Sequence, residues 1–197
     1  SAALYDLNVG LTTLDARSRV IPGAAESWTI SPDGLTYTFR LRPDLKWSDG
    51  QPLDANDFVL GIQRTCNPDN AGHYQYILTE IVGCDAYYGA GKKTAEEKAA
   101  LLKAVGVRAV DATTIEFKLT DPVPTFSIKL ALWPTFPVPK HKLATVDAKW
   151  PAPMDNVYNG PFKPSAYTEK SGITLVPNDQ YTGAVKAQVE KIVIKYI

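Results

Sequence analysis

Of the five aspartates within residues 27–58, four are the first candidates for acid–base chemistry, namely Asp33, Asp49, Asp54 and Asp57. Asp33 belongs to a Ser-Pro-Asp-Gly sequence and Asp49 to a Ser-Asp-Gly sequence, and both sequences are typical of turns. Asp54 precedes a predicted helix at the N-cap position, and Asp57 follows three residues later as a capping-box partner. Structural roles therefore account for all four carboxylates, and the stretch predicts no catalytic site.

Few other residues suit catalysis. His73 and His141 are the only imidazole bases in the chain. The sequence contains no Gly-x-Ser-x-Gly, no His-Glu-x-x-His and no phosphate-binding loop. The cysteines lie in neither a Cys-x-x-Cys motif nor a Cys/His cluster of the kind that binds zinc. A hydrolytic enzyme is therefore the less favoured alternative, and we predict neither a metal nor a cofactor.

The two cysteines, Cys66 and Cys84, allow either a disulfide or a pair of reduced thiols in the core. Cys66 ends a predicted helix and Cys84 follows an apolar pair, so a bridge would close the loop between them. Such a bridge contributes on the order of 3 kcal/mol. We favour the disulfide, which implies an oxidising compartment.

Composition narrows the class of protein. The chain has 197 residues, of which 45% are hydrophobic and 21% are charged, and these values are typical of a globular protein. Lys plus Arg equals Asp plus Glu at 21 each, and no basic run exceeds two residues, so nucleic acid is not an expected partner. The apolar runs are shorter than a membrane span and the first residues do not resemble a signal peptide. We therefore expect a soluble chain from which any signal peptide is already absent.

Alternation of apolar and polar residues predicts two hairpins. Residues 35–41 alternate strictly, as in a strand with one buried face, and Trp28 and Ile30 alternate before a Ser-Pro-Asp-Gly turn. A second pair of alternating runs, residues 107–109 and 115–119, flanks a turn at residues 111–114.

Capping signals and prolines place the helices. The first helix is predicted over residues 55–65, and the capping box Thr94-x-x-Glu97 opens a second one that reaches about Val105. Prolines between 122 and 139 bracket a short apolar helix and a stiff extended run, LWPTFPVPK. A further short helix is predicted after Lys140. Helices and antiparallel hairpins together predict an α+β fold.

Residues 23–59, GAAESWTISPDGLTYTFRLRPDLKWSDGQPLDANDFV, closely resemble a segment of the family-five extracytoplasmic solute-binding proteins, the oligopeptide and dipeptide receptors of ABC importers. The shared pattern is Ala-Glu-x-Trp, Asp-Gly-x-x-Tyr-x-Phe-x-Leu-Arg and Lys-Trp-Ser-Asp-Gly. The resemblance implies a periplasmic-binding-protein type II-like fold, present here as a partial chain. Residues 1–139 would form the small domain, and residues 140–197 would begin the larger ligand-binding lobe, which is incomplete.

The resemblance also implies ligand-binding residues. Residues 67–74 resemble the stretch in which the oligopeptide receptors present a tyrosine to the peptide, which singles out Tyr74. Trp133 lies in the proline-rich segment that borders the peptide site in those receptors. Asn159 and Gly160 begin the family's next landmark, Asn-Gly-Pro-Phe, where glycine permits close backbone approach. Packing roles for Tyr74 and Trp133 are the alternative.

The function that the resemblance implies is peptide capture in a bacterial extracytoplasmic space, by a periplasmic protein or a cell-surface lipoprotein. Two lobes would close on an extended peptide through main-chain hydrogen bonds and deliver it to the membrane permease of an ABC transporter. A sensing domain of a cytoplasmic regulator is the alternative with the same fold. Sugars and metal chelates stay open as ligands, and the incomplete lobe is expected to associate through its exposed strand edges.

Overall fold

The computed structural model describes residues 3–70 and 74–195. His73, which we interpret as a surface residue, lies outside the described residues. The α-helices are α1 (Ala3–Leu7), α2 (Ala55–Thr65), α3 (Cys84–Tyr88), α4 (Ala95–Lys103) and α5 (Phe126–Lys129). The strands are β1 (Thr12–Leu14), β2 (Val20–Pro22), β3 (Ala25–Ile30), β4 (Thr36–Leu41), β5 (Val107–Asp111), β6 (Thr114–Lys118), β7 (Phe162–Thr168), β8 (Gly172–Pro177) and β9 (Ile192–Lys195).

The two predicted hairpins join into one antiparallel sheet with the strand order β3-β4-β6-β5. Phe39 lies at its centre, opposite Trp28 on one neighbouring strand and Ile115 on the other. The ring of Phe39 also packs edge-on against Phe117, with 5.8 Å between centroids. Both phenylalanines are fully buried, because the alternation of each strand turns its apolar residues towards the same core.

Helix α2 packs against this sheet through the apolar face that carries Phe58 and Ile62. The predicted capping box is present: the Asp54 side chain accepts from the backbone of the first turn, and the Asp57 side chain accepts from the backbone N–H of Asp54. The helix ends at Cys66, whose Sγ lies 2.00 Å from Cys84 Sγ in a disulfide. This disulfide fixes the end of α2 to the start of α3.

A separate sheet, β7-β8-β9, follows near the end of the chain. Its apolar face packs around Phe162 and Leu175, together with Leu7 from the opposite end of the sequence. Helix α1 therefore packs on β7, while the sheet of the two hairpins has its own core. The predicted boundary between residues 139 and 140 stays a prediction, and α1 is the part of the first unit that packs with the second.

The prediction of a short helix after Lys140 is wrong. Residues 140–161 form turns, bends and irregular backbone, with hydrogen-bonded turns at Leu143, whose N–H donates to the carbonyl oxygen of Pro139, at Ala148 and at Asn156. Side chains of α2 and of the residues after it bind the carbonyl groups of Thr145 and Val146, which a helix would have used in its own ladder. No helix within the described ranges is long and apolar enough to cross a membrane.

Candidate ligand-binding cavity

A cavity of about 690 Å³ opens beside the C-terminal half of α2. Its volume lies within the roughly 300–1,000 Å³ that is typical of small-molecule and peptide side-chain sites. Four segments form the walls: α1, the end of α2 with the residues that follow it, the proline-rich run 133–138, and residues 147–150. The lining residues are Leu4, Asn8, Gly61, Arg64, Thr65, Asn70, Tyr74, Trp133, Pro134, Phe136, Pro137, Val138, Asp147, Ala148, Lys149 and Trp150.

Tyr74 and Trp133, two of the residues singled out in the sequence, meet at this cavity. Their rings contact edge to face, with centroids 4.5 Å apart, and their side chains are 42% and 37% exposed. Neither ring belongs to the main core, in which the aromatic side chains are almost fully buried. The pair therefore presents apolar surface to the cavity, and a ligand role for it stays a prediction.

Helix α2 sets the position of Trp133. The Oγ1 of Thr65 donates to the carbonyl oxygen of Pro134 at 2.6 Å, so the backbone beside the tryptophan is tied to the helix. One turn earlier, a Cβ added at Gly61 would lie 2.3 Å from the carbonyl oxygen of Phe136. Only glycine lets the proline-rich run lie this close to the helix. The backbone segment that carries Trp133 is therefore held in a fixed position against α2.

The wall at residues 147–150 is also fixed by α2, through Arg64. Its Nη1 donates to the carbonyl oxygens of Thr145 at 3.1 Å and Val146 at 2.9 Å. Its guanidinium carbon lies over the ring of Trp150, 5.6 Å from the centroid. Burial lowers the pKa of Arg64, whereas the nearby charge of Asp147 acts in the opposite direction. At its high ordinary pKa the guanidinium stays charged.

Asn159 and Gly160 lie away from the large cavity. The Asn159 side chain accepts from the backbone N–H of Val9 at 3.1 Å and donates to the carbonyl oxygen of Val9 at 2.9 Å. The N–H of Gly160 donates to the carbonyl oxygen of Leu7, and an added Cβ there would lie 2.6 Å from the backbone nitrogen of Asn8. Both residues therefore hold the segment after α1; this segment supplies Asn8 to the cavity wall, and α1 itself supplies Leu4.

The sequence interpretation missed Trp150 and Arg64. Trp150 is 51% exposed and precedes Pro151, so it shares with Trp133 the signal of a tryptophan next to a proline. Arg64 carries no comparable signal, because an arginine in the last turn of a helix is commonly explained by the helix dipole.

Asp57, interpreted as a capping residue, has further partners. It is fully buried, and it accepts from the indole N–H of Trp47 at 3.3 Å and from the backbone N–H of Lys140 at 3.0 Å, in addition to that of Asp54. Burial raises the pKa of this carboxyl, against the effect of the three donors. All three donors have structural roles, so the carboxylate of Asp57 connects α2 to the segment at Lys140.

The described residues offer little to an enzyme mechanism. Within residues 3–70 and 74–195, no group of three or more His, Cys, Asp or Glu side chains could hold a metal ion. Cys66 and Cys84 are bonded to each other, so neither can act as a thiolate nucleophile. His141 contacts Asp49 at 2.9 Å, outside the residues that line the large cavity.

Comparison with known proteins gives a consistent result over the chain. The family model described as bacterial extracellular solute-binding proteins, family 5 Middle, matches residues 19–197. A probable deoxycholate-binding periplasmic protein of Escherichia coli K12 is 40% identical over 191 residues, which are 96% of this chain and 34% of that protein. An oligopeptide-binding protein of Bacillus subtilis is 36% identical over 185 residues, 93% of this chain and 32% of that protein.

A solved structure agrees with the fold. The substrate-binding domain of an oligopeptide ABC transporter from Bacillus anthracis matches with a TM-score of 0.86 and 34% identity, over 99% of this chain and 36% of that one. The predicted α+β, periplasmic-binding-protein type II-like fold of a partial chain is therefore confirmed. The chain spans about a third of the length of the relatives that it matches.

Proposed function

Because this chain belongs to the bacterial extracellular solute-binding proteins of family 5, we propose that it is part of the substrate-binding component of an ABC importer that captures oligopeptides. The observation that carries the proposal is the exposed Tyr74–Trp133 pair on the wall of the large cavity. Aromatic surface left open beside a concave site, on a rigid scaffold, is typical of a ligand platform.

The walls of the cavity support a clamp mechanism. In the proposed division, residues 1–139 form the small domain and residues 140–197 begin the larger lobe. Trp133 then belongs to the first unit and Trp150 to the second, and both line the cavity. A peptide held here would be enclosed when a further lobe closes over it by a hinge motion. Tyr74 and Trp133 would contact the peptide, whereas Asn159 and Gly160 would act by holding the wall at Asn8.

The proposed partners are a peptide ligand and the membrane permease of the importer, and the proposed location is extracytoplasmic, in a periplasmic protein or a cell-surface lipoprotein. The disulfide between Cys66 and Cys84 supports this location, because such bonds persist in oxidising compartments. The same observation disfavours a sensing domain of a cytoplasmic regulator.

A second candidate ligand is an amphipathic anion of the deoxycholate type, the compound for which the Escherichia coli relative is named. The cavity favours this candidate in one respect: Arg64 and Lys149 line it together with Tyr74, Trp133 and Trp150, so apolar and cationic surfaces adjoin. Oligopeptides remain the first candidate, since the Bacillus subtilis and Bacillus anthracis relatives carry that description.

Calorimetry on the full receptor that contains this chain tests the function. We expect a mixture of tri- to pentapeptides to bind at micromolar concentration, about −8 kcal/mol, and mass spectrometry to recover the peptides uncleaved. Binding of deoxycholate without binding of peptides would select the second candidate. A receptor that binds neither ligand would refute the proposal, and cleaved peptides would point to an enzyme.

The isolated 197-residue chain is the matched comparison. It should bind peptides with a Kd no lower than about millimolar, a binding free energy of about −4 kcal/mol. One lobe alone cannot remove both sides of an extended peptide from water. Each main-chain hydrogen bond that the missing lobe would supply is worth about 1 kcal/mol. Micromolar binding by the isolated chain would show that the peptide site is complete without a second lobe. Self-association of this chain would be consistent with its exposed strand edges.

A further inference from the structure

Trp150 forms a wall of the cavity, and residues at the end of α2 set the position of this wall. The indole is 51% exposed and lines the cavity. Pro151 follows it directly, which restricts the backbone of the tryptophan to extended conformations. An exposed indole that is held in place can contact a ligand with little loss of conformational entropy.

The anchor of this wall is the end of α2. The carbonyl oxygen of Val146 accepts from three side chains: Arg64 Nη1 at 2.9 Å, Asn67 Nδ2 at 3.2 Å and Asn70 Nδ2 at 2.9 Å. Arg64 also binds the carbonyl oxygen of Thr145. These donors fix the backbone shortly before Trp150. The guanidinium of Arg64 also lies over the indole ring of Trp150.

The charge of Arg64 is already matched inside the protein. Its guanidinium binds two carbonyl oxygens and lies near Asp147, whose pKa is lowered by the hydroxyl of Thr145 and, to a smaller extent, by Arg64 itself. Because its hydrogen bonds and its charge have partners inside the protein, the guanidinium can polarise the indole on which it lies. It does not require an acidic group from the ligand.

Tyr74 and Trp133 face the cavity from another wall, already in edge-to-face contact with each other. A flat ring that enters the cavity can form further offset or edge contacts with these rings and with the indole of Trp150. Such contacts depend on ring geometry and not on buried area alone, so they distinguish an aromatic side chain from an aliphatic one of similar size.

We infer that the cavity is a specificity pocket for an aromatic side chain of the bound peptide, with Trp150 as a contact residue and Arg64 as the residue that positions Trp150. The inference rests on the proposed function and adds the ligand class: peptides with an aromatic side chain bind more tightly than peptides of the same length with an aliphatic one.

The test uses the full receptor and two sets of tripeptides, in which phenylalanine or leucine replaces each alanine of tri-alanine in turn, with tri-alanine as reference. The receptor should bind the best phenylalanine peptide about tenfold more tightly than its leucine counterpart. Trp150→Ala should remove most of this preference, taken as the ratio of the phenylalanine and leucine affinities measured on the same variant. Trp150→Phe should restore part of it.

Arg64→Lys keeps the charge but loses the planar fork that reaches two carbonyl oxygens and the indole. We expect it to reduce the phenylalanine preference about threefold and to change the near-ultraviolet circular dichroism of the indole. Arg108→Lys is the matched control, since Arg108 pairs with Glu116 on the sheet and does not line the cavity. This control should leave both the preference and the spectrum unchanged.

The outcomes separate the two levels of the proposal. A parent receptor that binds phenylalanine and leucine peptides equally, or a Trp150→Ala variant that keeps the full preference, would overturn the specificity pocket while peptide binding stands. A merely structural role for Arg64 would lower the melting temperature without changing the preference, and that result would overturn its positioning role. A parent receptor that binds no tripeptide would overturn the proposed function itself.

Discussion

The ring of Tyr74 meets the ring of Trp133 edge-on, at 4.5 Å between centroids, although the two residues belong to separate segments. Tyr74 lies in the loop that the disulfide closes, and Trp133 lies in the proline-rich run seated on α2. Two independent constraints therefore converge on one aromatic pair, and both halves of the pair stay partly exposed. This arrangement suits a binding surface that keeps its shape in the absence of a ligand.

Replacing Trp133 with alanine in the full receptor should weaken peptide binding about tenfold or more and lower the free energy of unfolding by less than about 1.5 kcal/mol, because the side chain is 37% exposed. Trp47→Ala is the control: Trp47 is fully buried, and its loss should cost about 3–5 kcal/mol. Calorimetry and urea denaturation measure the two quantities. A large loss of stability at Trp133 with unchanged affinity would assign this residue to the core.

Replacing Asp57 with alanine should destabilise the fold by about 2–5 kcal/mol, since it leaves three donors without their buried acceptor. Asp33→Ala is a suitable control, because Asp33 lies in an exposed turn. Urea denaturation of the 197-residue chain measures both variants. Equal, small losses for the two variants would show that water replaces the carboxylate of Asp57.

Asp49 should contribute a pH-dependent part of the stability. Burial alone would raise its pKa, but hydrogen bonds from His141 and from the backbone N–H of Gln51 lower it below the ordinary 3.8. A lowered folded-state pKa stabilises the protein above the unfolded value, and this contribution is lost as the pH falls through the folded value. Asp49→Asn should therefore cost about 0.5–1 kcal/mol at pH 5, and the cost should shrink steadily below about pH 3.8. A cost that is constant with pH would contradict this assignment.

Cys66 and Cys84 should be found oxidised in native protein. Alkylation without a reductant, followed by mass spectrometry, should add no alkyl group, whereas two added groups would rule the bond out. The double variant Cys66→Ala/Cys84→Ala should lose on the order of 3 kcal/mol of stability, because the bond closes the loop between α2 and α3.

Local signals made most of the fold predictable. The capping boxes at Asp54 and Thr94 place the starts of α2 and α4, and strict alternation around Phe39 places the central strand. Each of these signals acts within a few residues of the chain. For this reason they can be recognised in a sequence without knowledge of the tertiary structure.

The contacts that shape the cavity were not predictable in this way. Arg64 reaches Thr145 and Val146, and α2 admits the proline-rich run only because Gly61 lacks a side chain. Such pairings depend on how the elements pack, which no local pattern records. Resemblance to a family singled out Tyr74 and Trp133, but it gave no indication of Arg64 or Trp150.

The bond between Val9 and Asn159 also constrains the order of assembly. These residues are 150 positions apart, whereas each strand of the two hairpins meets a partner close to it in the sequence. At the usual pace of synthesis, about 5–20 residues per second, roughly eight to thirty seconds separate the emergence of Val9 from that of Asn159. The hairpins can therefore form well before α1 acquires its final neighbours, and the last wall of the cavity is completed only when the late part of the chain arrives.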